Sequence, residues 1–187
     1  MMDLAPIVMI VLLGVAVYLP LFLRAEGFCF DDVPLGRSIA AWPAMEVRRF
    51  VSAYLLSPHR IRAVWWAWLR LLSVVCQTSR RAWVAASVAC HLVNAILLFV
   101  LAEQIGATRW QAWSAAALFA VHPMAVLTAA FIGGTPSALV LTGILAGLLC
   151  LERGAAVAAV LIGVITSGIK LDGWTYWPTA GLWLVLR

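Results

Sequence analysis

Apolar residues fall along this chain in long runs separated by short polar breaks. A bilayer span needs about 20 mostly apolar residues, and six runs approach that length. The first covers Leu4–Leu23, with Pro20 near its far end and Arg24 at its edge. The second is Ala82–Ala102, followed by the polar turn Glu103–Arg109. A third starts at Trp110 and meets Pro123, which lacks an amide proton and so kinks or ends a helix. Gly133-Gly134-Thr135-Pro136 breaks the chain before the fourth run, Ser137–Leu151. The fifth, Ala155–Gly168, and the sixth, Trp174–Arg187, are shorter and flank the polar turn Lys170–Gly173. This pattern predicts an all-α fold: a polytopic membrane helix bundle of about six transmembrane helices, one transmembrane domain over residues 1–187.

Between the first and second runs lies a longer mixed stretch, Arg24–Arg81, holding nine of the 13 basic residues. Within it, Ile61–Gln77 is rich in aliphatics and carries Trp65, Trp66 and Trp68, with Arg70 near its middle. A central arginine costs about 2.5–3.5 kcal/mol on insertion scales, and tryptophan favours the membrane interface. The segment therefore reads as a helix lying on the surface. Asp31–Phe50 is expected to hold a second such helix, making residues 24–81 an interfacial loop that hugs the membrane.

Composition removes whole classes of function. Of 187 residues, 65% are hydrophobic and 11% charged, too little polar surface to coat a water-facing globule. A soluble enzyme and a nucleic-acid-binding domain are excluded, and the net charge of +5 reads as contact with anionic lipid headgroups. The four cysteines, Cys29, Cys76, Cys90 and Cys150, show no paired spacing, and Cys90 and Cys150 lie in apolar runs where buried free thiols are expected. Met1-Met2-Asp3 gives no positive n-region, and the apolar run beyond it is long for a signal peptide. The first segment is expected to stay as an anchor. The spans hold almost no charge to line a transport pathway.

Six spans would put the Arg24–Arg81 loop, the Gly133–Pro136 turn and the Lys170–Gly173 turn on one face. Asp31, Asp32, Thr135, Lys170 and Asp172 could then converge, joined by His122 if the third span ends near Pro123. At depth lie His91, with Asn94 one turn along the same face, and Ser87. Polar groups there bond to neighbouring helices or mark function. Gly143 and Gly147 share a face that permits close helix approach, within the chain or between chains.

The order of short motifs is more informative than any one of them. Phe30-Asp31-Asp32 follows the first span. His91-Leu92-Val93-Asn94-Ala95-Ile96-Leu97-Leu98-Phe99 comes next, then Leu118-Phe119-Ala120-Val121-His122-Pro123. Ile132-Gly133-Gly134 and Ser167-Gly168-Ile169-Lys170-Leu171-Asp172-Gly173 complete the series, ahead of Pro178. This order resembles the membrane core of GT-C-type glycosyltransferases, closest to the protein O-mannosyltransferase branch with tetratricopeptide tails, which uses polyprenyl-phosphate sugars. The resemblance implies a catalytic base in the first external loop, matched here by Asp31 and Asp32, since transfer needs a proton taken from the attacking hydroxyl. It also implies a cation beside the lipid phosphate, for which Lys170 and the arginines of the first loop are candidates. Where the family sets polar and acidic residues after its His-Pro, this chain has Met124, Ala125, Val126 and Leu127.

Simpler readings stand beside these. Asp31-Asp32 could cap a surface helix or hold a divalent metal. His91 or His122 could ligate haem or a chlorophyll magnesium, although a helix-to-helix hydrogen bond is the plainer role. The sequence favours a non-catalytic accessory or scaffold subunit built on a reduced GT-C-like core. Its expected partners are lipids and other integral-membrane subunits, with no nucleic acid, in the bacterial inner membrane. The alternative is a reduced polyprenyl-phosphate-sugar-dependent glycosyltransferase. The arginine-rich loop belongs in the cytoplasm by the positive-inside rule, but that rule weakens for loops near 60 residues, and the orientation expected here is the one the resemblance implies, with the loop outside.

Overall fold

The computed structural model describes residues 4–24, 49, 62–77, 79–123, 125 and 131–187. Seven α-helices lie among them: α1 (Ala5–Leu23), α2 (Ala63–Cys76), α3 (Arg80–Gln104), α4 (Arg109–Val121), α5 (Thr135–Glu152), α6 (Ala156–Ser167) and α7 (Tyr176–Leu186). Short 3-10 turns, Ile132–Gly134 and Leu171–Thr175, lead into α5 and α7.

Local chemistry sets the boundaries. The Ser79 hydroxyl accepts from the Ala82 amide and starts α3. That helix ends at Gly106 (φ +97°), whose amide donates to Glu103 while Ala107 donates to Ala102. Gly154 (φ +70°) closes α5 in the same way, with Gly154 bonded to Leu151 and Ala155 to Cys150. Only glycine adopts this left-handed cap without strain. Helix α4 opens on a reciprocal box, the Thr108 hydroxyl accepting from the Gln111 amide and Gln111 Oε1 from the Thr108 amide. It stops at His122, held extended (ψ 128°) because Pro123 follows.

Helix α3 is the spine, with α1 and α4 packed on one side and α5 on the other, while α6 and α7 pack outward of α5. Alanines at 112, 116 and 120 give α4 a flat face against Leu92, Ala95 and Phe99 of α3 and Ile10 of α1. Leu101 of α3 meets Leu145, Leu148 and Leu149 of α5. The outward faces of α1, α6 and α7 are apolar and exposed, as at Leu12, Val157 and Leu184, which suits hydrocarbon and not water.

Only part of the six-span expectation follows. Helices α1, α3 and α5 with its leading turn are long and apolar enough to cross a membrane. Helices α4, α6 and α7 have 13, 12 and 11 residues. At 1.5 Å per residue, α6 spans about 18 Å against a hydrocarbon core of about 30 Å. The structure supports an all-helical bundle with three membrane-length helices among its described residues.

Helix α2 sits across one end of this bundle. Its first turn is tied to the end of α6, Val64 N donating to Gly168 O at 3.0 Å, and its last residues turn directly into α3. Both of its ends therefore lie at the same end of the bundle. Its inner face, Trp65, Leu69 and Cys76, packs on Trp83, Ile132, Val140 and Ile169. The outer residues Leu71, Val74 and Val75 are apolar and exposed. The second surface helix expected over 31–50 lies outside the described residues, apart from Arg49.

Candidate functional site

The helix ends sort into two groups. Arg81 Nη2 reaches the Leu23 carbonyl (3.5 Å), and α2 joins Ile132 and Ile169, so these share one end with Lys170. The Glu103–Arg109 turn flanks the start of α1, where Pro6 and Met9 meet Arg109 and Trp113. At that same far end Arg187 folds onto Glu152, with Nε at 2.9 Å and Nη2 at 2.7 Å, and Trp183 Nε1 donates to Glu152 at 2.6 Å.

A cavity of about 270 Å³ opens between α3, α4 and α5, lined in part by His91, Asn94, Phe119, His122 and Ser137. Ser137 lies in the first turn of α5, where its hydroxyl accepts from Lys170 Nζ at 3.3 Å. Lys170 also pairs with Asp172 at 2.7 Å. That hydrogen bond, and then the Lys170 charge, hold the Asp172 carboxyl below the usual carboxylate range. His122, Ser137, Lys170 and Asp172 thus form one neighbourhood at the end where the first loop leaves and re-enters the bundle. Asp31 and Asp32 lie outside the described residues, as does Cys29. Cys76, Cys90 and Cys150 are free thiols.

Deeper in, His91, Asn94 and Ser87 are each closed by a partner within the chain, whereas the buried Tyr18 hydroxyl beside His91 has no hydrogen-bond partner among the described residues. His91 Nε2 donates to the Ala120 carbonyl at 3.1 Å, and its ring packs on Phe119 and edge-on to Tyr18. With Nε2 committed to that carbonyl, this nitrogen is not presented to a haem iron or a pigment magnesium. Asn94 Nδ2 donates to Ala138 O at 2.9 Å, and its Oδ1 accepts from Thr142 Oγ1 at 2.7 Å. The Ser87 and Thr135 hydroxyls bond each other at 3.2 Å. Among the described residues no group of three or more His, Cys, Asp or Glu is placed to hold a metal.

The glycine face is also occupied from within. A Cβ on Gly143 would lie 2.0 Å from Thr166 Oγ1, and one on Gly147 2.3 Å from the Tyr176 ring. Tyr176 enters between Gly147 of α5 and Gly163 of α6, and its hydroxyl donates to the Ala159 carbonyl. The features that could have marked a second chain, Gly143, Gly147, His91, Asn94 and Ser87, are all used inside this one. Tyr176, Thr142 and Thr166 escaped the sequence reading because nothing in their own neighbourhoods marks the distant helix they meet. No family model, curated protein or solved structure matches this chain.

Proposed function

We propose that the chain is a non-catalytic accessory or scaffold subunit of a larger integral-membrane complex, a reduced GT-C-like core working in the bacterial inner membrane. One observation carries this reading: the polar side chains at the α3–α4–α5 and α5–α6–α7 contacts are spent on holding helices together. His91, Asn94, Ser87, Thr135, Thr142 and Tyr176 each bond a residue of this chain. Buried side chains closed in this way define a rigid bundle and offer little to a reacting substrate. Contacts with partner subunits then fall on the apolar outer faces of α1, α6 and α7.

A second reading has its own support. His122, Ser137 and Lys170 gather at the loop-bearing end, where a reduced glycosyltransferase would hold a polyprenyl phosphate near Asp31 and Asp32. Two measurements separate the readings. Purification in mild detergent is expected to recover other integral-membrane proteins in fixed ratio with the chain. Changing Asp31 and Asp32 together to Asn should leave that assembly intact, because an amide keeps most capping capacity but cannot take a proton at neutral pH. Loss of sugar transfer from a polyprenyl-phosphate donor at unchanged protein level would overturn the scaffold reading.

A further inference from the structure

The two ends of the bundle differ in charge far more than in shape. Among the described residues the far end carries Glu103 and Glu152 against Arg109, Arg153 and Arg187. Two of its arginines are already matched, Arg187 with Glu152 at 2.7 Å and Arg109 with Glu103 at 3.9 Å. Among the described residues, Arg49 apart, the near end holds six basic residues, Arg24, Arg62, Arg70, Arg80, Arg81 and Lys170, against Asp172 alone. Among these residues the excess of positive charge is therefore five at the near end and one at the far end.

Helix α2 gives that charge a membrane-facing platform. It lies across the bundle end, with Leu71, Val74 and Val75 turned outward and Trp65, Trp66 and Trp68 half-buried or buried along it. Arg62 stands over the Trp65 ring at 5.6 Å. Exposed aliphatic side chains with arginines beside them are what an interfacial helix presents to a charged leaflet. Anionic lipid enriched on the cytoplasmic side attracts basic residues near the surface, and the Lys/Arg bias sets orientation in the same direction.

We infer that the end carrying the exposed Arg24, Arg62 and Arg81, with Lys170 beside them, is seated in the anionic headgroups of the cytoplasmic leaflet, with Leu4 and Arg187 on the far side of the membrane. This orientation is opposite to the one the family resemblance implies, and it does not depend on the scaffold reading. It rests on where the helix ends place the charges.

The test uses the full chain in bacteria. Alkaline phosphatase fused after Arg187, active only when exported, is expected to give strong activity, and green fluorescent protein at the same place is expected to stay dark. A dark phosphatase with a bright fluorescent fusion overturns the inference. A second measurement avoids fusions. With the native cysteines changed to Ser, an impermeant maleimide on intact spheroplasts should label Gln104→Cys and spare Leu171→Cys until the membrane is opened. Any other pattern overturns the orientation. The lipid half is read from the purified chain in vesicles of phosphatidylglycerol with phosphatidylethanolamine, compared with phosphatidylcholine alone. Tm should be higher with the anionic lipid, the gain should shrink with added salt, and the pair Arg62→Gln and Arg81→Gln should remove most of it. Equal Tm in the two vesicles overturns headgroup seating.

Discussion

Replacing Gly147 with alanine tests whether Tyr176 is the wedge that fixes α7 to the bundle. A methyl at Gly147 would sit 2.3 Å from Tyr176 Cε2 and 2.4 Å from its hydroxyl oxygen, and one at Gly163 would sit 2.4 Å from Cε1. The ring is held from both sides, so retreat from one glycine drives it into the other. Overpacking of this kind costs about 1–3 kcal/mol. Tyr176→Ala empties the same space and should cost about 3–5 kcal/mol, the range for truncating a large buried aromatic. The two changes are not independent, because the new methyl has room once the ring is gone. The pair Gly147→Ala with Tyr176→Ala should therefore be less destabilised than the sum of the singles by about 1–3 kcal/mol. Tyr176→Phe keeps the ring, loses the bond to Ala159 at about 0.5–1.5 kcal/mol, and should leave the Gly147 clash in place. Equilibrium unfolding in mild detergent, followed by near-UV circular dichroism, reads all four. Strict additivity, or no loss for Gly147→Ala alone, refutes the wedge.

Two further outcomes follow from the polar contacts. The Asp172 carboxyl is held low by Lys170, so its stabilisation is present above the unfolded carboxylate pKa of about 3.9 and is lost as pH falls through the lower folded value. The Tm gap between wild type and Asp172→Asn should be constant near neutral pH and close in acid; a gap that persists in strong acid contradicts the pairing. Asn94→Ala removes the bonds to Ala138 and Thr142 and should cost about 0.6–2 kcal/mol. Thr142→Ala added to it should cost little more, and an independent second loss in the unfolding curve would refute the shared network.

Much of the architecture is legible in one dimension because membrane helices announce themselves by length and apolarity. The runs Leu4–Leu23 and Ala82–Ala102 match α1 and α3 within two residues at each end. Pro123 stops α4, and Gly133–Pro136 starts α5, by backbone chemistry that needs no tertiary context. Partnerships are another matter. His91 and Asn94 are conspicuous as polar residues in an apolar run, yet their partners are the backbone carbonyls of Ala120 and Ala138, groups that every residue carries. The Gly143–Gly147 face announces close approach but not what approaches. Its occupants, Thr166 and Tyr176, are supplied by helices too short to stand out as full spans.

Orientation links the two open readings. The resemblance requires Asp31 and Asp32 to meet a lipid-linked sugar outside the cell, while the inferred orientation turns the end where α1 finishes and α2 begins toward the cytoplasm. An arginine-rich end on the cytoplasmic side would deny those carboxylates the external compartment in which the resembling enzymes act, and the neighbourhood of His122, Ser137 and Lys170 would face the cytoplasm with them. The interior contacts would be indifferent to that reversal, because they bond helix to helix whichever way the bundle points. A scaffold is therefore compatible with either orientation and a family-like transferase with only one. The fusion experiment at Arg187 thus bears on chemistry as well as topology: strong phosphatase activity there removes the compartment on which the glycosyltransferase alternative depends, and a bright fluorescent fusion restores it.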